Sequence, residues 1–149
     1  MTSHARTQVR AAVATLLGNL ATTQGRVFAG YPWELNPAEI PGLAILSPSE
    51  RIDENFSSFS GGVNQLGRRV TLIVVGYAKG DDIEDRLDQI ALEVEQALGA
   101  DRTLGGTVLD SEITSTEFAI EVDDQRVGQV RLTFEAVYRT TRAAPETIL

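Results

Sequence analysis

Two runs near the end of the chain alternate apolar with polar residues, and this period of two constrains the fold more than any other feature. Phe118, Ile120 and Val122 interleave with Glu117, Ala119 and Glu121. After a turn at 123–128, Val130, Leu132, Phe134, Ala136 and Tyr138 interleave with Arg131, Thr133, Glu135, Val137 and Arg139. Successive side chains of a strand point to opposite faces, so the pattern predicts antiparallel strands with one face on a core and one in water. A third run, Arg69 to Ala78, is rich in β-branched residues and nearly all apolar. That composition suits a strand covered on both faces, the expected centre of the sheet.

An apolar sheet face needs a cover, and two helical stripes supply it. Val9, Val13, Leu16, Leu17 and Leu20 fall on one side of a helix over about 3–20, with Ser3 as the expected cap. Ile83, Leu87, Ile90, Ala91, Val94 and Leu98 do the same for a helix that starts at Asp81 or Asp82 and is expected to stop at Gly99. Short strands near 26–30 and 42–46 flank Pro32, Pro37 and Pro41, which predict an irregular loop carrying Trp33. The polar stretch 47–67 reads either as a long mobile loop or as the tip of an extended hairpin with arms near 50–56 and from 65 onward. Together these elements predict an α+β fold: a mostly antiparallel sheet, two helices packed on one face, and a long polar loop or hairpin arm. A length of 149 residues suits a single domain over 1–140, followed by a flexible C-terminal tail at 141–149.

Charge and composition narrow the function. A net charge of −8 repels phosphate backbones and anionic lipid, which argues against a nucleic-acid or membrane-surface binder. The chain has no cysteine and one histidine, His4, so thiolate zinc sites, cysteine nucleophiles and histidine relays lack material. A serine relay would need Lys79 as its base, and nothing in the spacing brings the two together. The glycine pairs at 61–62 and 105–106 lack the Gly-Lys-Ser/Thr of a phosphate loop and read as turns. No apolar run is long enough to span a bilayer, and no signal peptide is evident, so the expected place of synthesis is the cytoplasm.

The densest ionisable cluster is Asp81, Asp82, Glu84, Asp85 and Asp88. Carboxylates one helical turn apart can converge on a divalent cation, the basis of an alternative reading as a small metal-dependent enzyme or ligand-binding domain. The simpler reading is a helix start, where negative side chains interact favourably with free amides. The sequence therefore predicts no catalytic, cofactor or metal residues. Charge is also unevenly spread: residues 1–70 carry 6 basic and 5 acidic groups, residues 71–149 carry 7 and 16. Arg6 and Arg10, one turn apart, are expected to face away from the apolar stripe; if the halves stay separate in space they meet the acidic half of another copy, a contact that can close into a ring, and if the halves interleave the asymmetry is incidental.

The helix Arg6 to Leu20, the segment Pro41-Gly42-Leu43-Ala44-Ile45, the strand Arg69 to Gly76, the helix from Leu87 to Glu95 and the closing Leu132-Thr133-Phe134-Glu135-Ala136-Val137-Tyr138 occur in an order and at a length with a parallel elsewhere. In that arrangement the chain resembles the tail terminator proteins of long-tailed bacteriophages, the group of the lambda minor tail protein U. The resemblance implies a non-enzymatic virion protein at the head–tail junction, from a phage, a prophage or a phage-derived gene-transfer particle. It implies a homohexameric ring that caps the tail tube, stops tube polymerisation and docks head-completion or connector proteins. Tube and head-completion proteins share this fold and are alternatives. DNA would pass through such a ring without tight binding, and an acidic wall would keep it from sticking. Glu117, Glu121 and Glu135 are the expected channel-facing residues. Arg6, Arg10, Phe59, Gly61, Gly62 and Arg68 are the expected contacts to neighbouring subunits or the tube.

Overall fold

A computed structural model describes residues 3–30, 40–58, 64–121 and 127–149. The proline-rich loop 31–39, with Trp33, and the arm tip with Phe59, Gly61 and Gly62 lie outside the described residues. The elements run α1 (Ala5–Leu16), β1 (Val27–Phe28), β2 (Gly42–Ile52), a single 3-10 turn (Glu54–Phe56), β3 (Gln65–Lys79), α2 (Ile83–Ala100), β4 (Asp110–Glu121) and β5 (Val127–Thr141). The strands form one sheet in the order β1-β2-β3-β5-β4. Every pairing is antiparallel except the two-residue β1 with β2. This is the α+β architecture that the alternating runs predict, with the β-branched run at the centre.

The even-numbered residues of β3 and β5 face both helices. Val70, Leu72, Val74, Val130, Leu132, Phe134 and Tyr138 form one core with Ala5, Val9 and Val13 of the first helix, Leu17 just past its end, and the whole predicted stripe of α2. Two glycines set how closely α2 lies on the sheet. A Cβ on Gly76 would sit 2.6 Å from Cγ2 of Ile90, and one on Gly128 would sit 2.8 Å from Cδ1 of Ile83. The other face of the sheet is also closed at its middle, where Ala44 and Val75 are fully buried.

Helix ends depart from the predicted residues. The cap of α1 is His4, whose Nδ1 accepts from the Arg6 amide at 3.1 Å, in place of Ser3. An imidazole nitrogen offers the same lone pair that a serine oxygen does. The first helix ends at Leu16, short of Leu20, while α2 continues through Gly99 to Ala100.

The polar stretch 47–67 takes the hairpin form. Strand β2 continues to Ile52, opposite Arg68, and Ser58 bridges Gln65. A bulge at Ser47 and Pro48 puts one extra residue into β2: Leu46 pairs with Ile73, yet Ser49 already pairs with Thr71. Proline has no amide to offer a ladder, and a bulge is where a strand tolerates it. Beyond the bulge the facing of β2 is inverted, so Glu50 and not Ser49 points to the helices. The segment after Thr141, read on the sequence as a flexible tail, makes hydrogen bonds to the body. The Ala5 amide donates to the Pro145 carbonyl at 3.0 Å, and Gln8 Nε2 donates to the Glu146 carbonyl at 2.6 Å.

Candidate functional site

The strand β4 stands apart from the rest of the sheet. It is twelve residues long, pairs with β5 on one side, and forms the end of the sheet order. Among the described residues no strand pairs with its outer side, whose amides and carbonyls form an edge, the natural template for another strand. On its helix-facing side lie Ile113, Thr116, Phe118 and Ile120, in register with Phe134, Leu132, Val130 and Gly128. The alternation predicted that these apolar residues meet a core. In the structure α2 covers β3 and β5 but stops short of β4, leaving Phe118 53% exposed and Ile120 38% exposed. The residues are patterned for burial, and the chain's own described residues do not bury them.

Two of the predicted acidic residues lie on the other side of the sheet. Glu117 pairs in register with Arg131, and Glu135 of β5 pairs with Thr71, so both belong to the face without helices. Glu135 accepts from Arg69 at 3.4 Å, so this face is mixed in charge. Glu121 pairs with Val127 at the strand end, and its side chain lies outside the described set.

The arginines grouped as contact residues each have a partner within the chain. Glu50, its side chain 6% exposed, accepts from Arg68 Nη1 at 2.9 Å, from Arg6 Nη1 at 2.8 Å and from the Tyr138 hydroxyl. Arg68, 9% exposed, also donates to the Thr140 hydroxyl at 2.9 Å. Burial acts to raise the Glu50 carboxyl, but the Tyr138, Arg68 and Arg6 donors overcome it and hold the group below the usual carboxylate range. Burial, with the adjoining Glu50 carboxylate second, pushes the Tyr138 phenol up. Arg10 donates to the Ser47 hydroxyl at 2.6 Å, at the bulge. This cluster ties α1 to β2, β3 and β5; Arg68 is buried in it, while Arg6 keeps 39% of its side chain exposed.

A second cluster stiffens the arm on the helix-free face. Asp53 accepts from the Asn55 amide at 3.0 Å and from both Nε and Nη2 of Arg69. Burial acts to raise this carboxyl too, but the Asn55 amide and the Arg69 guanidinium lower it below the usual range. The Phe56 ring receives Arg69 and Arg139 at 5.7 and 5.9 Å from its centroid. Sequence reasoning missed both clusters. Their signal was the pairing of charges across strands, visible only once the register is known.

The acidic start of α2 is a solvated helix face: Asp82 pairs with Arg86 at 2.6 Å, and both are about half exposed. Among the described residues no group of three or more acidic or histidine side chains converges as a metal site would require. No described helix is long and apolar enough to cross a membrane.

No protein-family model matches the chain, and no curated protein matches it in sequence. The fold is similar to that of a chain in a solved structure of the virion of a native gene transfer agent particle, at 18% identity and a TM-score of 0.59. The match covers 88% of this chain and 94% of that one, so what the two share is a whole architecture and not a fragment.

Proposed function

We propose that this chain is a structural, non-enzymatic component of a phage-type virion and that it serves there as a tail terminator. The observation that carries the reading is the fold shared, over nearly the full length of both chains, with a chain of a gene transfer agent virion. In the proposed role, copies form a six-membered ring at the head–tail junction that caps the tail tube, halts its growth and presents a surface to head-completion proteins. The open edge of β4 supports such an assembly. Set against the β1–β2 side of the next copy it makes a head-to-tail contact, and contacts of that kind close into rings when the rotation permits. The helix-free face, with Glu117 and Glu135, then lines or flanks the channel through which DNA slides.

Particle morphology in the absence of the gene tests the role. Overlong tails are expected of a missing terminator; normal free tails beside DNA-filled heads would make the chain a head-joining protein instead. Native mass spectrometry of the purified chain tests the class: a ring-sized oligomer is expected, with and without magnesium or calcium. A monomer that binds one metal tightly would overturn it.

A further inference from the structure

The exposed apolar side of β4 and the adjoining flank of α2 form two walls of one groove. At one end Glu84 and Asp88 of the helix and Phe118 and Ile120 of the strand enclose a recess of about 310 Å³. At the other, Glu95, Leu98 and Gly99 of the helix and Ile113 of the strand border a second recess of about 220 Å³. The floor is apolar and the helix wall is acidic. Arg102 also borders the second recess, but it is taken up by Asp110 at 2.8 Å. Glu84, Asp88 and Glu95 follow one stripe of α2 over eleven residues, a rise of roughly 16 Å, the length of about three helical turns.

We propose that this groove receives a basic amphipathic helix of a different protein, its apolar face on Ile113, Phe118 and Ile120 and its Lys/Arg flank along Glu84, Asp88 and Glu95. Charge decides the occupant. Among the described residues a second copy has one other helix to offer, α1, whose outward residues are Thr7, Ala11 and Thr15 and whose arginines are engaged by Glu50 and Ser47. Arg51 and Arg131 belong by register to the helix-free face of the sheet, on strands that cannot enter the groove. The cations that match the acidic wall are therefore assigned to another chain. The strand pattern argues the same way, because β4 carries the alternation of a buried strand and its apolar side awaits a cover. The proposal does not depend on the terminator role, since it rests on the groove alone.

A fluorescein-labelled peptide of about 14 residues, with leucine and lysine at amphipathic helical spacing, serves as the probe against the full chain, and its twin with glutamate for lysine as the control. Fluorescence anisotropy is expected to show binding of the lysine peptide and none of the glutamate twin. Amide shift changes should be confined to residues 84–99 and 113–120. Reversing the wall (Glu84→Lys, Asp88→Lys, Glu95→Lys) should weaken binding at least tenfold. Reversing three acids outside the groove (Glu54→Lys, Asp81→Lys, Asp85→Lys), an equal change in net charge, should leave it within about twofold. Phe118→Ser, at an exposed site, should weaken binding with an unchanged far-UV spectrum. Equal losses in the two charge-reversed proteins, or shifts spread over the helix-free face, would overturn the proposal. So would a dimer by sedimentation that Phe118→Ser abolishes and wall reversal does not, since a second copy would then be the occupant.

Discussion

Replacing Glu50 by alanine probes the buried cluster beneath α1, and the structure sets the scale of the response. The substitution strands Arg68, 9% exposed, with the Thr140 hydroxyl as its remaining described side-chain partner. Removing one member of a buried pair costs about 3–5 kcal/mol, because the other charge stays out of water without compensation. Arg6 adds little to this, since at 39% exposure it recovers its hydration. For a chain of this size each kcal/mol lowers the melting temperature by about 2–4 °C, so the expected fall is about 6–20 °C. Thermal and urea unfolding followed by circular dichroism measure it, with Glu54→Ala, at an exposed position, as the control. Adding Arg68→Met to Glu50→Ala should restore part of the loss, because the stranded charge goes with it. A loss below about 1 kcal/mol, or a double variant worse than the sum of the singles, would refute the claim that desolvated Arg68 dominates.

Acid should unfold the protein through the same groups. The carboxyls of Glu50 and Asp53 lie below their ordinary 4.5 and 3.8 in the folded state, so the unfolded chain takes up protons first. Their contribution is whole above about pH 4.5 and drains as pH falls through the folded values; a urea midpoint that stays flat from pH 6 down to pH 3 would contradict this. Gly67→Ala should destabilise by about 1–3 kcal/mol, because its Cβ would collide with the Phe56 Cβ and lie 2.8 Å from the Asp53 carbonyl oxygen; urea unfolding reads the loss. Gly76→Ala meets the Ile90 side chain instead, so in a double-mutant cycle Ile90→Ala should cost less in its presence than alone. Exchanging Glu117, Glu121 and Glu135 for glutamine should leave particles assembled but impair DNA delivery, and unimpaired delivery would remove these residues from the channel wall.

Much of the architecture was legible because it rests on periodicity. All six apolar residues of the α2 stripe are buried as the spacing predicts, and the run Arg69 to Ala78 lies in the central strand with Val74 and Val75 both enclosed. The ends of elements were less legible, since a cap depends on which lone pair reaches an amide, and His4 reaches one where Ser3 was expected. The candidate surfaces divide in the same way. Glu117 and Glu135 fall on one face because strand parity is readable, whereas Arg68 looked like a surface cation. Its burial follows from pairing with Tyr138 and Ile52, a long-range register that local spacing does not encode. The alternation at Phe118 and Ile120 predicted a core contact that the described residues do not make, because strand parity tells which side chains share a face and not whether a helix reaches it.

The bulge at Ser47 and Pro48 makes the arm a matter of counting. Because side chains alternate, one extra residue acts as a parity switch: it hands Glu50 to the helices and leaves Arg51 and Asp53 for the opposite side. Residue number, more than residue type, carries this information. Loss of a single residue there would remove the bulge and leave a straight ladder with Glu50 still opposite Val70, while loss of two would exchange the two chemistries of the arm, presenting a carboxylate to water and a guanidinium to the core. The strand can thus give up its one extra residue but not two, a limit on length that substitution of Ser47 or Ser49 does not meet.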